Sequence, residues 1–250
     1  MIILKNNNEI RKMMEAGKIV EEALLLMEAN IRPGISTLQL DQLAEEFITK
    51  QGAVPSFKGY GGFPGSICAS VNDVVIHGIP SKEMILKDGD IISIDMGAVI
   101  NRYHGDAART FMVGEVSQEA KDLIRVTEES FFKGVEAFRV GNRLGDISNA
   151  IESHIVAAGF GVVKDFVGHG IGRNLHEQPN VPNYGKAGFG PVLREGMVLA
   201  IEPMVNVGSY EVKVLKDRWT VKTKDGSLSA HYENTVALTD QGPQLLTLTR

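Results

Sequence analysis

The sequence predicts an α+β fold made of two similar halves, each with two helices followed by β-strands. Helical patterns give way to β-rich runs twice along the 250 residues, first over about residues 8–113 and again over about 118–238. The glycines that end the helical patterns, Gly34 and Gly52, recur as Gly141 and Gly159 at the same offset of 107 residues. We therefore expect one domain over residues 1–250 whose halves pack around a pseudo-twofold axis.

Four helices are expected from apolar residues at helical spacing. Ser36 or Thr37 is the expected N-cap of the second helix, and Gly52 is expected to end it. The expected helices are Asn8–Glu28, Leu38–Gln51, Gln118–Phe138 and Asp146–Ala158.

The β-rich runs surround a Gly- and Pro-rich stretch, residues 55–65, which contains three aromatic residues and is expected to form a lid or to line a pocket. A hairpin is expected from Ile91 through Asp106. The other expected strands are Ser66–Ile76, Val162–Val167, Met197–Val205, Val212–Leu215 and Tyr232–Leu238.

The composition is that of an ordinary globular protein, with 43% hydrophobic and 23% charged residues. A net charge of −5 gives no indication of a nucleic-acid or membrane-surface protein. No apolar stretch reaches about 18 residues, and the first residues do not resemble a secretory signal. The single cysteine, Cys68, excludes an internal disulfide. We expect a cytoplasmic location.

The predicted hairpin carries two aspartates in apolar surroundings. If it turns between Ile100 and Asn101, Asp95 and Asp106 face each other across the ladder, with Cβ atoms about 4.5–5.5 Å apart. Two buried carboxylates at that distance repel unless a cation lies between them. The alternative is a solvated loop without function.

The second half adds three residues of the same kind. His169 lies between glycines, Glu202 ends an apolar run, and Glu233 lies within another. Each alone could be structural. Together, four carboxylates and one imidazole could neutralise two divalent cations, and this ligand set favours Mn²⁺, Fe²⁺, Co²⁺ or Zn²⁺. Two such ions activate a bridging water, so hydrolysis is the expected reaction.

These residues, in this order, resemble the methionine aminopeptidases. The resemblance covers nearly the whole chain and implies the pita-bread fold, with two α-α-β halves around a curved antiparallel sheet, as a single catalytic domain of the short type I form. Its most specific segments are Val71–Pro80, Ile94–Asp106, Gly168–Pro179, Ile201–Met204 and His231–Thr235.

The resemblance implies two divalent metal ions, of Co²⁺, Mn²⁺, Fe²⁺ or Zn²⁺. Asp106 and Glu233 would bridge the ions, and Asp95 would chelate one of them. His169 and Glu202 would hold the other, and Glu202 would also transfer a proton to the leaving amine.

The resemblance also implies the substrate contacts. His77 would lie near the scissile amide nitrogen, and His176 would donate a hydrogen bond to the carbonyl oxygen; for His77 the alternative is a turn-stabilising role. A thioether packs well on aromatic and sulfur surfaces. The implied walls of the methionine pocket are Tyr60, Phe63, Cys68, Met204 and Trp219.

Three positions depart from the family pattern. Leu175 stands where an aromatic residue is common, His231 where Gln is common, and Asn234 where His is common. We expect these changes to affect rate, specificity or metal preference more than reaction class. His104, two residues before Asp106, is a further residue that could lie behind the metal ligands.

The implied function is removal of the initiator methionine from nascent chains whose second residue is small, by a monomer with no nucleic-acid or membrane partner. Ribosome association suits this role but has no motif in the sequence. Two alternatives share the fold and stay open: an Xaa-Pro-directed aminopeptidase or dipeptidase, which usually carries an additional N-terminal domain, and a peptide-binding relative without catalysis.

Overall fold

The computed structural model of this chain describes residues 1–248 and contains four α-helices close to the predicted positions. Ser36 caps the second helix: its side chain accepts a hydrogen bond from the Gln39 N–H, and the Gln39 side chain accepts one from the Ser36 N–H. The helices are α1 (Asn7–Asn30), α2 (Thr37–Lys50), α3 (Gln118–Ala137) and α4 (Leu144–Ala157).

The strands are more numerous and shorter than the sequence patterns predict. Those of the first half are β1 (Val54–Pro55), β2 (Ile67–Val71), β3 (Val74–Ile76), β4 (Ile91–Ile100) and β5 (Tyr103–Met112). Those that follow α4 are β6 (Gly161–Val162), β7 (Gly168–Gly170), β8 (Glu177–Val181), β9 (Val198–Ile201), β10 (Met204–Asn206), β11 (Val212–Val214), β12 (Val221–Thr223), β13 (Ser229–His231), β14 (Glu233–Thr239) and β15 (Gly242–Leu245).

Three of the predicted strands are wrong in their extent. Ser66–Ile76 is divided into β2 and β3 because the chain turns at Asn72, which has φ 55°. Met197–Val205 is divided into β9 and β10 at Pro203, which has no N–H for the ladder. Of Val162–Val167, only the first residue belongs to a strand, as the end of β6.

One large antiparallel sheet connects the two halves. Its strand order is β1-β4-β5-β14-β9-β7-β8, with β2 also paired to β4 and β15 to β14. The halves meet where β5 pairs with β14, at the contact of Ala108 with Glu233. Two small sheets, β13-β10-β6 and β11-β12-β3, complete the β-structure of the described residues. The curled sheet confirms the predicted α+β, pita-bread class of fold.

The two halves correspond at the predicted offset of 107 residues. α2 and α4 each contain 14 residues, and the turns before them contain Gly34 and Gly141, both at φ 91°. The same offset relates Asp95, in β4, to Glu202, immediately after β9. Two of the predicted metal ligands therefore lie at corresponding sequence positions in the two halves.

Each half has its own apolar core between helices and sheet. In the first half, Leu24 of α1 and Ile48 of α2 pack with Ile94 of β4. In the second, Phe131 of α3 and Ile151 of α4 pack in a cluster with strands that include β9 and β14. Burial of these faces fixes the helices on the sheet. Among the described residues no helix is long and apolar enough to cross a membrane.

A close approach between α1 and the sheet depends on glycine. A Cβ atom added to Gly105 in β5 would lie 2.8 Å from the backbone nitrogen of Gly17 in α1. A Cβ atom on Gly17 itself would lie 1.9 Å from the carbonyl oxygen of Leu246. Since all these neighbours are backbone atoms, no side-chain rotation can make room.

Gly17→Ala should therefore destabilise the protein, although alanine is the better helix former by about 1 kcal/mol. We expect overpacking to lower the free energy of unfolding by about 1–3 kcal/mol, measured by urea denaturation. The neighbouring Lys18→Ala, on the exposed face of α1, is the matched control and should be almost neutral. Equal or greater stability of Gly17→Ala would show that α1 does not pack this closely.

Candidate metal centre and substrate pocket

The sheet brings the five predicted ligands to one cavity. They lie on neighbouring strands or at their ends: β4, β5, β14, β9 and β7 follow one another in the sheet. The ligands on these strands, in that order, are Asp95, Asp106, Glu233, Glu202 and His169, and all five line a single cavity of about 210 Å³.

The β4–β5 hairpin does not have the predicted register. Its turn consists of Asn101–Arg102, both residues with positive φ, and lies one residue later than expected. Asp95 consequently pairs with Ala108, and Asp106 with Gly97, so the two aspartates are diagonal neighbours and not opposite each other. The prediction of a direct pair was wrong. Because the shift is two residues, both side chains still share one face of the sheet.

Glycines hold His169 between its neighbouring strands. A Cβ atom on Gly168 would lie 2.4 Å from the Ala200 carbonyl oxygen, and one on Gly170 would lie 2.3 Å from the Gln178 carbonyl oxygen. β7 can approach β9 and β8 this closely only with glycine at both positions. The repeated glycines around the histidine are therefore a packing requirement that serves the site.

The orientation of the His169 ring suits metal binding. Its Nδ1 lies 2.9 Å from the Gly170 carbonyl oxygen, so Nδ1–H donates to that carbonyl and Nε2 keeps its lone pair. Nε2 faces carboxylates, at 3.9 Å from Asp106 Oδ2 and 3.7 Å from Glu202 Oε1.

Several ligand atoms are buried without a hydrogen-bond partner among the described residues: Asp95 Oδ1, Asp106 Oδ1, Glu233 Oε1 and His231 Nε2. Buried polar atoms nearly always have partners, and leaving a carboxylate oxygen unpaired is costly. Divalent cations would supply the missing interactions. The residues present therefore fit a metal centre of oxygen and imidazole ligands.

Burial shifts the pKa values of the cluster towards uncharged forms. It raises the pKa of Asp95 to about 7 and that of Glu202 to about 8. Burial and then the neighbouring carboxylates raise the pKa values of Asp106 and Glu233 well above the ordinary range. Burial lowers the pKa of His169 to about 3. Without cations the site retains protons near neutral pH, and bound cations would displace them.

His231 lies closer to this cluster than the sequence indicates. Its Nε2 is 3.4 Å from Glu202 Oε2, and its ring is fully buried. The ligand atoms form two groups that share Glu233, one with Asp106 and His169 and the other with Glu202 and His231. The departure from the family pattern at this position therefore places a second imidazole at the centre.

Asn234 belongs to a network behind Glu233 that sequence reasoning missed. Its side-chain oxygen accepts hydrogen bonds from Arg109 at 2.7 Å and from Thr247 at 2.9 Å. Arg109 also donates to the Glu233 backbone carbonyl at 2.5 Å and stacks over the Tyr232 ring. Arg109 gave no signal in the sequence, because an arginine in a strand is usually solvated.

His104 was a further residue that could lie behind the metal ligands. In the structure its ring forms a hydrogen bond with the Ser56 hydroxyl at 2.8 Å.

The same cavity continues into an apolar pocket. Tyr60, Phe63, Cys68 and Trp219 line it as the sequence predicts. Met204 does not: it is fully buried in a separate cluster with Val163 and Val75. Phe57, from the aromatic stretch at residues 55–65, and Leu175, one of the departures from the family pattern, also line it. The structure adds three lining residues that the sequence did not indicate: Ile76, Phe166 and Val167.

Two uncharged histidines flank the pocket. Burial lowers the pKa of His77 to about 4 and also lowers that of His176. The His176 Nδ1 lies 2.8 Å from the Tyr60 hydroxyl, and its ring centre is 4.2 Å from that of His169. His77 packs edge-on against Trp219. A neutral imidazole has one donor and one acceptor, and in His176 one of the two is already used by Tyr60, which leaves Nε2 for a bound molecule.

Carboxylates and an imidazole beside an apolar pocket with two further histidines define a metal-dependent hydrolase. The model of metallopeptidase family M24 matches residues 11–240. The methionine aminopeptidase of Clostridium acetobutylicum is 62% identical over 99% of both chains. The crystal structure of methionine aminopeptidase from Thermotoga maritima has a TM-score of 0.98 at 47% identity and is covered completely. The chain belongs to metallopeptidase family M24 and, within it, to the methionine aminopeptidases, as the resemblance predicted.

A proline-directed peptidase has a similar structure. The structure of prolidase from Pyrococcus furiosus has a TM-score of 0.81 and is 25% identical. Its alignment covers 99% of this chain but 66% of the prolidase chain. The likeness is therefore to one part of a longer protein.

The raised pKa values of Asp95 and Glu202 predict how the stability of the metal-free protein depends on pH. Unfolded Asp and Glu ionise near pH 4, whereas these folded groups ionise near pH 7 and 8. The stability that their protons contribute is therefore complete below about pH 4 and is lost as the pH rises to about 8. The contribution of His169 has the opposite sign but is complete near pH 7, because unfolded histidine titrates near 6.5.

Between pH 7 and 8.5 the free energy of unfolding of the metal-free protein should therefore fall, measured by urea denaturation in the presence of a chelator. Saturating Mn²⁺ should abolish the fall, because the cation stabilises the ionised carboxylates. The Asp95→Asn/Glu202→Gln variant should show a smaller slope. A stability that rises with pH over this range would contradict the assignment.

Proposed function

We propose that this protein removes the N-terminal methionine from nascent chains whose second residue is small, by hydrolysis of the first peptide bond. One observation carries the proposal. Ligand oxygens without hydrogen-bond partners lie in the same small cavity as an apolar, aromatic-lined pocket. Such a site can bind one apolar side chain next to a reactive centre.

The centre is assigned two divalent ions, chosen from Co²⁺, Mn²⁺, Fe²⁺ and Zn²⁺. Asp95 would help to hold one ion and His169 with Glu202 the other, and Asp106 and Glu233 would contribute to both. When bound, the ions supply an activated water and polarise the scissile carbonyl. His231 is placed to add a nitrogen ligand or a hydrogen bond on the Glu202 side, which supports a preference for borderline over hard cations.

Glu202 is assigned the proton transfer. Its carboxyl group lies at the cavity with 13% of the side chain exposed, so it can contact both the attacking water and the leaving amine. It accepts a proton from the water and delivers it to the amine nitrogen as the peptide bond breaks. The backbone carbonyl of Glu202 accepts a hydrogen bond from Asn183 at 2.9 Å, which holds the end of β9 in place.

His176 and His77 are assigned to the substrate. We assign the proton of His176 to Nε2, so that Nδ1 accepts from the Tyr60 hydroxyl at 2.8 Å. The Nε2–H can then donate to the scissile carbonyl oxygen as negative charge develops there. His77, which lines the pocket beside Phe166 and Trp219, is assigned a contact with the amide nitrogen or the following residue. Neutral imidazoles suit both roles, and burial keeps both in that form.

Specificity is assigned to the pocket walls. Phe63 and Trp219 meet edge to face with ring centres 5.2 Å apart, and Cys68 is buried at the pocket wall. A methionine thioether interacts well with aromatic edges and sulfur. The pocket closes around the first side chain, so a bulky second residue would collide with the walls near the scissile bond.

The substrates are assigned as nascent-chain N-termini. The enzyme is assigned as a monomer that acts in the cytoplasm, at the ribosome. An Xaa-Pro-directed activity is the second candidate, because the fold is shared with prolidase. The coverage favours methionine release: this chain spans the whole of the Thermotoga maritima methionine aminopeptidase but 66% of the prolidase. A peptide-binding role without catalysis is disfavoured by the presence of all five ligands at the cavity.

The substrate assignment predicts that metal-stripped protein supplied again with one cation at a time will release methionine from Met-Ala-Ser but hardly from Met-Leu-Ser. Glu202→Ala should lose this activity by about 100-fold or more, as expected for removal of a ligand and general base. Release from Met-Ala-Ser is measured by amino-acid analysis. Cleavage confined to an Xaa-Pro control peptide would instead establish the proline-directed activity.

The histidine assignment predicts that His176→Ala will lower kcat by about 100-fold through loss of a donor to the developing oxyanion. Manganese affinity, measured by calorimetry, should be nearly unchanged because His176 is not a metal ligand. The matched control is His154→Ala on α4, whose imidazole pairs with Glu129 at 3.0 Å, away from the cavity. Normal kcat in His176→Ala would remove this residue from the mechanism.

A further inference from the structure

The chain that precedes α1 reaches the loop carrying His176. We call residues 1–6 the N-terminal strap and residues 171–177 the histidine loop. The Lys5 N–H of the strap donates to the Gly196 carbonyl at 2.7 Å, and the Lys5 side chain then extends to the histidine loop. Its Nζ lies 2.6 Å from Glu177 Oε2, and both side chains are 3% exposed. This ion pair joins residues 172 positions apart in the sequence.

The histidine loop packs directly on this ion pair. A Cβ atom on Gly172 would lie 2.6 Å from Lys5 Cε and 2.6 Å from Glu177 Oε1. Glu177 Oε1 also accepts from the Asn174 N–H at 3.2 Å. The Lys5 Nζ donates a second hydrogen bond to the Ile3 carbonyl at 3.0 Å, within the strap. Both charges therefore have partners, and glycine is needed where the loop passes over them.

A second, more exposed set of contacts reaches the same loop. Arg173 donates to the Tyr103 hydroxyl at 2.9 Å, and this hydroxyl donates to Glu9 at 2.7 Å at the start of α1. The Arg173 side chain is 54% exposed, so its ion pair with Glu9 contributes little. The buried pair of Lys5 and Glu177 is the contact that a substitution can break with a large effect.

We propose that Lys5 is a positioning residue for the reaction: by pairing with Glu177, it fixes the adjacent His176 over the metal centre. The inference rests on the role assigned to His176 in the proposed function. A buried carboxylate that has lost its cation partner moves towards water, and Glu177 can do so only by displacing the loop. His169 is held on its other side by β9, where it pairs with Ala200, and this contact does not involve Glu177. We therefore expect metal binding to change little when Lys5 is replaced.

The test compares four variants by steady-state kinetics on Met-Ala-Ser with the metal-loaded enzyme. Lys5→Met should lower kcat/KM by about 10- to 100-fold, the cost of misplacing a catalytic group by about 1 Å. Lys5→Arg keeps the charge and should recover most of the activity. Lys5→Met/Glu177→Gln should also recover activity, because neither charge is left unpaired. Lys18→Met, which removes the exposed pair with Glu22, is the matched control and should equal wild type.

Two readouts separate positioning from general damage. Manganese affinity of Lys5→Met, measured by calorimetry, should match that of wild type. In metal-free protein, the imidazole Cε1–H signal of His176, assigned by its loss in His176→Ala, should shift in Lys5→Met and not in Lys18→Met. If Lys5→Met does not fold, Lys5→Met/Glu177→Gln should still fold under this proposal, because it leaves no unpaired charge. Manganese affinity and the His176 signal are then measured on that double variant.

The decisive comparison is the effect of Lys5→Met in wild-type protein and in a His176→Ala background. If Lys5 acts through His176, adding Lys5→Met to His176→Ala should cost no further activity. An undiminished loss in that background, or an unshifted His176 signal in Lys5→Met, overturns the inference. Normal activity of His176→Ala alone would instead overturn the proposed function at this residue, while the imidazole signal would still test the geometry.

Discussion

The burial of four carboxylates at the junction of two half-domains is the constraint on which this structure depends. Asp106 and Glu233 lie almost completely out of water on the two strands that join the halves. In an antiparallel sheet, such residues would normally be apolar. The unpartnered oxygens, the raised pKa values and the glycines around His169 all follow from bringing these charges together for cations to bind. Burial of the apolar clusters in each half offsets the unfavourable free energy of burying these carboxylates.

The substrate side is built differently from the metal side. Four of the five candidate ligands lie on paired strands, where backbone hydrogen bonds define their positions, and Glu202 directly follows β9. His176 and Tyr60 instead lie on a loop and a short 3₁₀ turn. Loop residues need additional contacts to be held precisely enough for catalysis. The hydrogen bond between these two side chains and the ion pair of Lys5 with Glu177 provide such contacts.

Much of this architecture could be predicted from the chain alone. Periodic apolar residues predict the helices, the glycine positions predict the offset between the halves, and short motifs predict the family. Each of these patterns can be recognised within a short segment of the sequence. The hairpin register failed by two residues, because the choice between neighbouring turns depends on the backbone conformation of Asn101–Arg102. The sequence pattern also could not place Met204, because an apolar residue at this position is equally compatible with a pocket wall and with a neighbouring core.

Long-range polar contacts were the least predictable part. Arg109 reaches the backbone of Glu233 across 124 residues, and Lys5 reaches Glu177 across 172. Neither residue differs in type or local pattern from the surface lysines and arginines of the chain. Only the packing of the fold shows that Lys5 is buried and Arg109 partly buried, each with its charge directed at a specific partner.

Asp95 and Glu202 lie at the same offset that relates the helices of the two halves, so each half contributes one carboxylate to the cavity from a corresponding sequence position. The two sides of the cavity nevertheless differ. The first half contributes the shorter Asp95, whereas the second contributes the longer Glu202 together with His169. A repeat in the sequence therefore need not produce a symmetric site, because side chains at corresponding positions can differ in length and chemistry.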